Sequence, residues 1–393
     1  MNSRLIGRRE RFCLRDVELR WSWKGAEKQG VMIHFFIGTK AQFIKMAPVM
    51  VELEKRGVAF RYIDSGQHAE LTRSLRKVFG LREPDVNLYG RNKDVVSLTS
   101  AVGWMFKLGW AWLARRKWLR EHVFAGGGIC LIHGDTLSTL FGMRMAKAVD
   151  LEIGHVEAGL RSFCIWHPFP EELIRIHCMK RCDILFAPSE EAKHNLEAMK
   201  VRGRVIKVDG NTVVDALRLM EDTAATIEMP KEPFALAACH RLETITRAKR
   251  LQKVVSLLNS FAELIPVLFV IHTPTLKYLK KFGLKEQISP KIRVLEMQNY
   301  LNFAALLKSA KLVLADGGSI QEECAYLNKP CLILRNRTER SDGLGQNARL
   351  WGFEDTAAQE YLSWAESLAG TEPEQWPRPT AQIVDALVEY ESG

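Results

Sequence analysis

The sequence predicts an α/β protein made of two doubly wound parallel-sheet domains that face one another across a cleft. Short apolar runs alternate with amphipathic stretches along most of the chain, as parallel strands covered by helices on both faces require. The alternation breaks once, at VDGNTVVDAL (208–217), and then restarts. At 393 residues the chain has the length of two domains, and 47% hydrophobic with 26% charged residues supplies two cores.

The first strand, MIHFFI (32–37), is apolar at nearly every position, as a strand buried on both faces must be. Further strands are expected at 59–64, 129–133, 152–156, 183–187 and 204–208, with helices near 44–56, 70–79, 95–122, 137–149, 171–181 and 190–199. After the break, strands are expected at 234–239, 267–272, 292–295, 312–315 and 331–334, with helices near 247–263, 300–309 and 319–327. This divides the chain into a basic extension (1–31), a first Rossmann-like domain (32–209) and a second (210–393), whose last helix is expected to pack back on the first.

Net charge is +10 and the isoelectric point about 9.2. Such a balance suits an acidic partner: nucleic acid, anionic lipid or a phosphorylated small molecule. No nucleic-acid-binding module is recognisable and aromatic residues do not interleave with the basic runs, which argues against nucleic acid. The eight cysteines form no C-x-x-C pair, and Cys178 and Cys182 have no companion His or Cys pair, so no metal site is expected and the pattern suits a reducing cytoplasm. Residues 1–30 are Arg-rich without the apolar core of a secretory signal, and Met32 reads as the ancestral start.

The unusual polar clusters fall at the carboxyl ends of expected strands: IGTK (37–40), HGDT (133–136), HVEAGLR (155–161), CHRLET (239–244) and ADGGSIQEE (315–323). Ligands bind there in open parallel sheets, so five such clusters point to one shared cleft.

GHVEAGLRSFCIWHPFPEE (154–172) sets Glu157, Glu171 and Glu172 among apolar and aromatic residues. A carboxylate is costly there unless it is paired or used. Two readings stand: ion pairs with Arg161 and Arg175, or proton-transfer chemistry. Asp135 is either a helix N-cap, helped by Thr136, or a further cleft carboxylate. Gly317, Gly318 and Ser319 open a helix, as a phosphate seat or a plain cap. Glu323, one turn on, is placed for ribose hydroxyls. Gln298 and Phe303 offer an edge donor and a stacking ring for a base, or core packing. His240 and Lys45 read as ligand-facing groups, or as a structural histidine and a solvated charge.

GTKAQFIKMAP, GQHAE, HGDTLSTL, GHVEAGLRS, PFPEELIR, GNTVVDAL, HRLE, DGGSIQEE, LNKPCLIL and RTERSD stand in the order and spacing of one family's motifs. Over roughly residues 32–350 the chain resembles the non-hydrolysing UDP-N-acetylglucosamine 2-epimerases. The resemblance implies the glycosyltransferase-B architecture. It implies an isomerase that interconverts UDP-N-acetylglucosamine and UDP-N-acetylmannosamine for cell-surface polysaccharides, by eliminating UDP to a 2-acetamidoglucal and adding it back, without cofactor or metal. It places Asp135, Glu157, Glu171 and His240 on catalytic positions: the carboxylates for proton transfer at C2, His240 for the departing UDP. An apolar wall, Phe169 or Trp166, is expected to raise a carboxyl pKa. It places nucleotide contacts at Lys40, Lys45, Gln298, Phe303, Gly317, Gly318, Ser319, Glu323 and Arg340, with Lys45 and Arg340 as cations for the diphosphate. The expected partners are the UDP-sugar and a second copy of the chain; the expected location is the cytoplasm.

The chain departs from the family pattern at four places. Lys40-Ala41-Gln42 stands for Arg-Pro-Glu, keeping the charge without the guanidinium fork. Gly317-Gly318-Ser319 permutes Ser-Gly-Gly. Gln67-His68-Ala69-Glu70 replaces the Gln-His-Arg-Glu of bacterial allosteric regulation, so activation by a second substrate molecule is expected to be weak or absent. The C-terminal Asn-Pro-(Phe/Tyr)-Gly-Asp-Gly run gives way to GTEPEQWPRPTAQIV. The alternatives are a 2-epimerase of a related UDP-sugar, a hydrolysing epimerase and a transferase of the same architecture.

VVSLTSAVGWMFKLGWAWLARRKWLR (95–120) carries four of the ten tryptophans and a basic end. It approaches transmembrane length, but it contains Lys107 and lies between two strands of one sheet, which argues against a span. An extended amphipathic helix is expected, with Trp104, Lys107/Leu108, Trp112 and Arg115 on one stripe. Trp110 and Trp118 fall off that stripe, available to a partner subunit first or to a membrane surface as peripheral contact.

Overall fold

A computed structural model describes residues 32–91, 93–95, 97–165, 169–221, 225–338, 340–354, 357–368 and 377–392; the extension 1–31 and Trp166 lie outside the described residues. The first sheet contains β1 (Ile33–Ile37), β2 (Phe60–Asp64), β3 (Val86–Asn87), β4 (Ile129–His133), β5 (Glu152–Val156), β6 (Ile184–Ala187) and β7 (Arg204–Lys207). The second contains β8 (Ala235–Ala238), β9 (Val267–Ile271), β10 (Ile292–Glu296), β11 (Leu312–Ala315), β12 (Cys331–Ile333) and β13 (Ala348–Leu350). All pairings are parallel, in the orders β3-β2-β1-β4-β5-β6-β7 and β10-β9-β8-β11-β12-β13. Each sheet reverses its winding beside its first strand, β1 or β8, and ligands bind at such switch points. Two such sheets facing a cleft make the glycosyltransferase-B architecture.

The helices of the first half are α1 (Lys40–Lys55), α2 (Ala69–Phe79), α3 (Leu98–Ala114), α4 (Arg116–Trp118), α5 (Leu137–Ala148), α6 (Glu171–Met179), α7 (Glu190–Ala198) and α8 (Val213–Leu219). Those of the second are α9 (Leu242–Ile245), α10 (Ala248–Ala262), α11 (Thr273–Lys281), α12 (Tyr300–Ser309), α13 (Gly318–Tyr326), α14 (Ala358–Ser367) and α15 (Pro379–Ser392). Helix α1 starts four residues before the expected 44 because Thr39 caps it. The Thr39 hydroxyl accepts from the Gln42 N–H while the Gln42 side chain accepts from the Thr39 N–H, a reciprocal capping box. Val213, Ala216 and Leu217 of α8 and Ile383, Val384 and Leu387 of α15 share one core with Phe43, Val49 and Met50 of α1. The chain thus returns to the first sheet after the second is complete.

The segment 95–122 is not one helix. The backbone leaves helical geometry at Arg115 (φ −129°, ψ 36°) and resumes as α4 and a π-helical turn at Leu119–Val123. Trp104, Leu108 and Ala111 form the buried stripe of α3, and Leu119 and Val123 are buried beyond the break. Trp118 is half-buried, with the Arg115 guanidinium 4.8 Å over its ring, so it does not share the exposure of Trp110. Val102, Phe106, Trp110 and Leu113 form the exposed stripe, at 54%, 73%, 56% and 73% exposure. No described helix is long and apolar enough to cross a membrane.

Candidate active site

The ends of β1, β4 and β5 and the start of α6 meet the start of α13 and Arg340 around a cavity of about 230 Å³. Asp135, Glu157, Glu171, Lys45, Gly318, Ser319 and Arg340 line it, together with Arg175 and Arg241. Glu157 directly follows β5 in left-handed backbone (φ 65°), a conformation costing a non-glycine residue about 1–3 kcal/mol and concentrated at functional sites. Its Oε1 accepts from Lys45 Nζ at 2.5 Å, Asn211 Nδ2 at 2.5 Å and Arg340 Nη2 at 3.0 Å; His133 Nε2 lies 3.2 Å from Oε2. Burial alone would raise the Glu157 carboxyl, but the cations Lys45 and Arg340 outweigh it and hold the pKa well below the usual range. Asp135 goes the other way: burial pushes its carboxyl up against the pull of Arg175. Two neighbouring carboxyls with pKa values driven apart suit one basic and one acidic role.

The carboxylates of 154–172 divide between the two readings. Glu172, fully buried, takes Arg161 Nε at 2.5 Å, Arg175 Nη1 at 2.7 Å and the Ser162 N–H at 3.2 Å, so it is the ion-paired structural member. Arg175 gives its other nitrogen to Asp135. Glu171, at the start of α6, faces the cavity with a buried Oε2 that has no hydrogen-bond partner. Thr136, not Asp135, caps α5 by accepting from the Thr139 N–H. Of the two residues expected to form an apolar wall, Trp166 lies outside the described residues and Phe169 is 58% exposed and not in the cavity lining; what raises Asp135 is its own burial.

A second cavity, of about 240 Å³, adjoins the first, with Lys45 and Ser319 lining both. Lys40, His240, Gln298, Phe303 and Glu323 line it, with His272, Met297 and Tyr300. The Tyr300 hydroxyl donates to Glu323 at 3.0 Å, and burial lifts the Glu323 carboxyl to about 7. Burial lowers the Lys40 amine. Helix α13 has no side-chain cap at Gly317, leaving its first N–H groups open to an anion. Gly317 itself faces His240: a Cβ there would lie 3.1 Å from the imidazole. Lys45 is buried to 3% and is no solvated charge.

Of the expected contacts, only Gly317 lines neither cavity, and His240 faces the nucleotide-sized cavity while its neighbour Arg241 faces the carboxylates. Sequence reasoning missed Arg241, His133, Asn211, Glu322 and His272. All but His272 carried a signal: His133, Asn211, Arg241 and Glu322 stand inside the quoted HGDTLSTL, GNTVVDAL, HRLE and DGGSIQEE.

A profile of the UDP-N-acetylglucosamine 2-epimerases matches residues 51–365. The chain belongs to that family. The epimerase of Methanococcus maripaludis is 32% identical over 340 residues, 82% of this chain and 88% of that one. The epimerase of Bacillus subtilis is 30% identical over 317 residues, 78% of this chain and 79% of the relative. The crystal structure of the Neisseria meningitidis enzyme bound to UDP-GlcNAc has a TM-score of 0.74 at 26% identity, covering 91% of this epimerase-family chain and 99% of that one. The Methanocaldococcus jannaschii enzyme in complex with UDP-GlcNAc and UDP gives 0.71 at 27% identity, with coverage of 91% and 99%.

Proposed function

We propose that the protein is a UDP-N-acetylglucosamine 2-epimerase that interconverts UDP-N-acetylglucosamine and UDP-N-acetylmannosamine. The observation that carries this reading is the junction of the two cavities, which sets three carboxyl groups beside a nucleotide-sized pocket and an uncapped helix start. A carboxylate removes the C2 proton while the C1–O bond breaks and its electron pair leaves with UDP, giving a 2-acetamidoglucal. UDP then adds back at C1 and a carboxyl group returns a proton to the other face of C2. Asp135, Glu157 and Glu171 are the candidates for these transfers. His240, on the nucleotide wall, stabilises the departing UDP, and Lys40, Gln298, Phe303 and Glu323 hold the nucleoside.

The product suits cell-surface polysaccharide synthesis in the cytoplasm. The exposed stripe Val102, Phe106, Trp110 and Leu113 is the surface for a second copy of the chain. NMR of UDP-N-acetylglucosamine in deuterated water tests the reaction. Deuterium at C2 of both epimers supports it; free sugar with UDP marks a hydrolase, and inertness without an acceptor marks a transferase.

A further inference from the structure

Four side chains close a ring of charge between the domains. Lys45 and Glu157 come from the first sheet's elements, Glu322 on α13 and Arg340 from the second's. Lys45 Nζ lies 2.5 Å from Glu157 and 3.0 Å from Glu322, and Arg340 reaches Glu157 at 3.0 Å and Glu322 at 3.1 Å. None of the four side chains is more than 13% exposed. Glu322 lines neither cavity. A buried carboxylate that touches no ligand is costly unless its cations need it. Those cations line the carboxylate cavity beside Gly318 and Ser319, so an anion at the open start of α13 meets both.

We infer that Glu322 is a positioning residue for epimerisation: it shares Lys45 and Arg340 with Glu157, so that both cations stay in place when they turn from Glu157 to the diphosphate and release that carboxylate to take the C2 proton. The inference rests on the epimerase reading above. Around Glu157 stand Lys45 from α1, His133 from β4, Asp135 from the turn after it, His155 from β5, Arg175 from α6, and Arg340. Around Glu322 stand Arg340, Lys45, Glu157 and Asp342, with Glu323, Tyr300 and Tyr326 beyond. Two negative charges share two cations. With Glu322 neutral, both cations serve Glu157 alone, hold its carboxyl lower still and weaken it as a base.

Wild type, Glu322→Gln and Glu322→Asp are compared for UDP binding by calorimetry, for epimerisation, and for kcat/KM against pH. In Glu322→Gln, UDP binds more weakly because Lys45 and Arg340 are drawn to Glu157 alone, kcat falls about 10²-fold as a misplaced group predicts, and the acid limb moves to lower pH. Glu322→Asp recovers part of the rate. Wild-type kcat and an unmoved limb in Glu322→Gln overturn the inference. So does a lost rate with an unmoved limb and no recovery by Asp, which marks a packing residue. If Glu322→Gln does not fold, Glu322→Asp decides, because its shorter reach loosens both cations and an unmoved limb there also overturns the inference. A wild type that never exchanges C2 contradicts the epimerase reading itself, which separates the two failures.

Discussion

The imidazoles of His240 and His272 stack with centroids 4.7 Å apart and planes 16° from parallel, on the wall of the nucleotide-sized cavity. Asp316 Oδ1 lies 3.4 Å from His240 Nδ1, and Arg241 and Lys40 are the cations nearby. Burial, helped by His240 and Lys40, takes His272 down to about 4, and burial also lowers His240. Both rings are therefore neutral near pH 7, and a diphosphate beside them stabilises their protonated forms. UDP binding near neutral pH is expected to take up protons on these rings. Calorimetry in buffers of different ionisation enthalpy measures the uptake; proton-silent binding would sink this account of the stack.

Asp135→Asn and Glu157→Gln are expected to keep UDP binding while turnover falls about 10²–10⁴-fold, the usual size of a positioned proton transfer. Glu172→Gln is expected to act instead on stability, because Arg161 and Arg175 lose their shared partner. Steady-state rates beside thermal unfolding separate the two classes, and near-normal rates in the first two variants would return those carboxylates to a structural role.

Three histidines outside the nucleotide wall make stability acid-sensitive. Burial lowers His34 to about 4, His133 to about 3 and His155 to about 4, from 6.5 in the unfolded chain. Between those values the unfolded chain binds more protons than the folded one. The stability from these neutral rings is complete above 6.5 and is lost as pH falls towards 4, at about 1.4 kcal/mol per pH unit for each ring. Thermal unfolding measured from neutral to acid pH should show a falling Tm, and a flat Tm over that window contradicts the assignment.

How much of this was legible in the sequence depends on how local each signal is. Buried strands such as IHFFI and ILFA announce themselves, because both faces are apolar. Helix α11 was missed although Pro274 stands in its first turn, a start signal that was available. The break at Arg115 was not legible, because neither Gly nor Pro stands at it and the buried positions Ala111 and Leu119 keep helical spacing across it. Most cavity-lining groups were found through strand-end motifs. Their pairing was not: Glu157 and Arg340 are 183 residues apart and meet only because two sheets face each other.

Substrate dependence is expected to be hyperbolic. Ala69 replaces a guanidinium, and its neighbours are engaged within the protein: His68 Nδ1 accepts from the Lys40 N–H at 3.2 Å, and Gln67 accepts from Ser138 at 2.5 Å. Initial rates against UDP-N-acetylglucosamine, in both reaction directions, provide the check. A sigmoidal curve, or a reverse reaction that needs added UDP-N-acetylglucosamine, refutes this.

Phe106→Ser/Trp110→Ser is expected to dissociate a dimer without loss of fold, since both side chains point away from the core at 73% and 56% exposure. Sedimentation velocity reads the change, and an arm with anionic vesicles tests the membrane alternative. A wild type that is monomeric and pellets with vesicles assigns the stripe to lipid.

The central claim is that this cleft moves a proton at C2 while UDP leaves and returns. The most direct measurement is proton NMR of the purified protein with UDP-N-acetylglucosamine in deuterated water, with no added nicotinamide or metal. The account predicts that UDP-N-acetylmannosamine appears and that the C2 proton signal is lost from both epimers as deuterium enters. Accumulation of free N-acetylmannosamine and UDP in place of the nucleotide epimer, or UDP-N-acetylglucosamine left unchanged with its C2 proton retained, would contradict it.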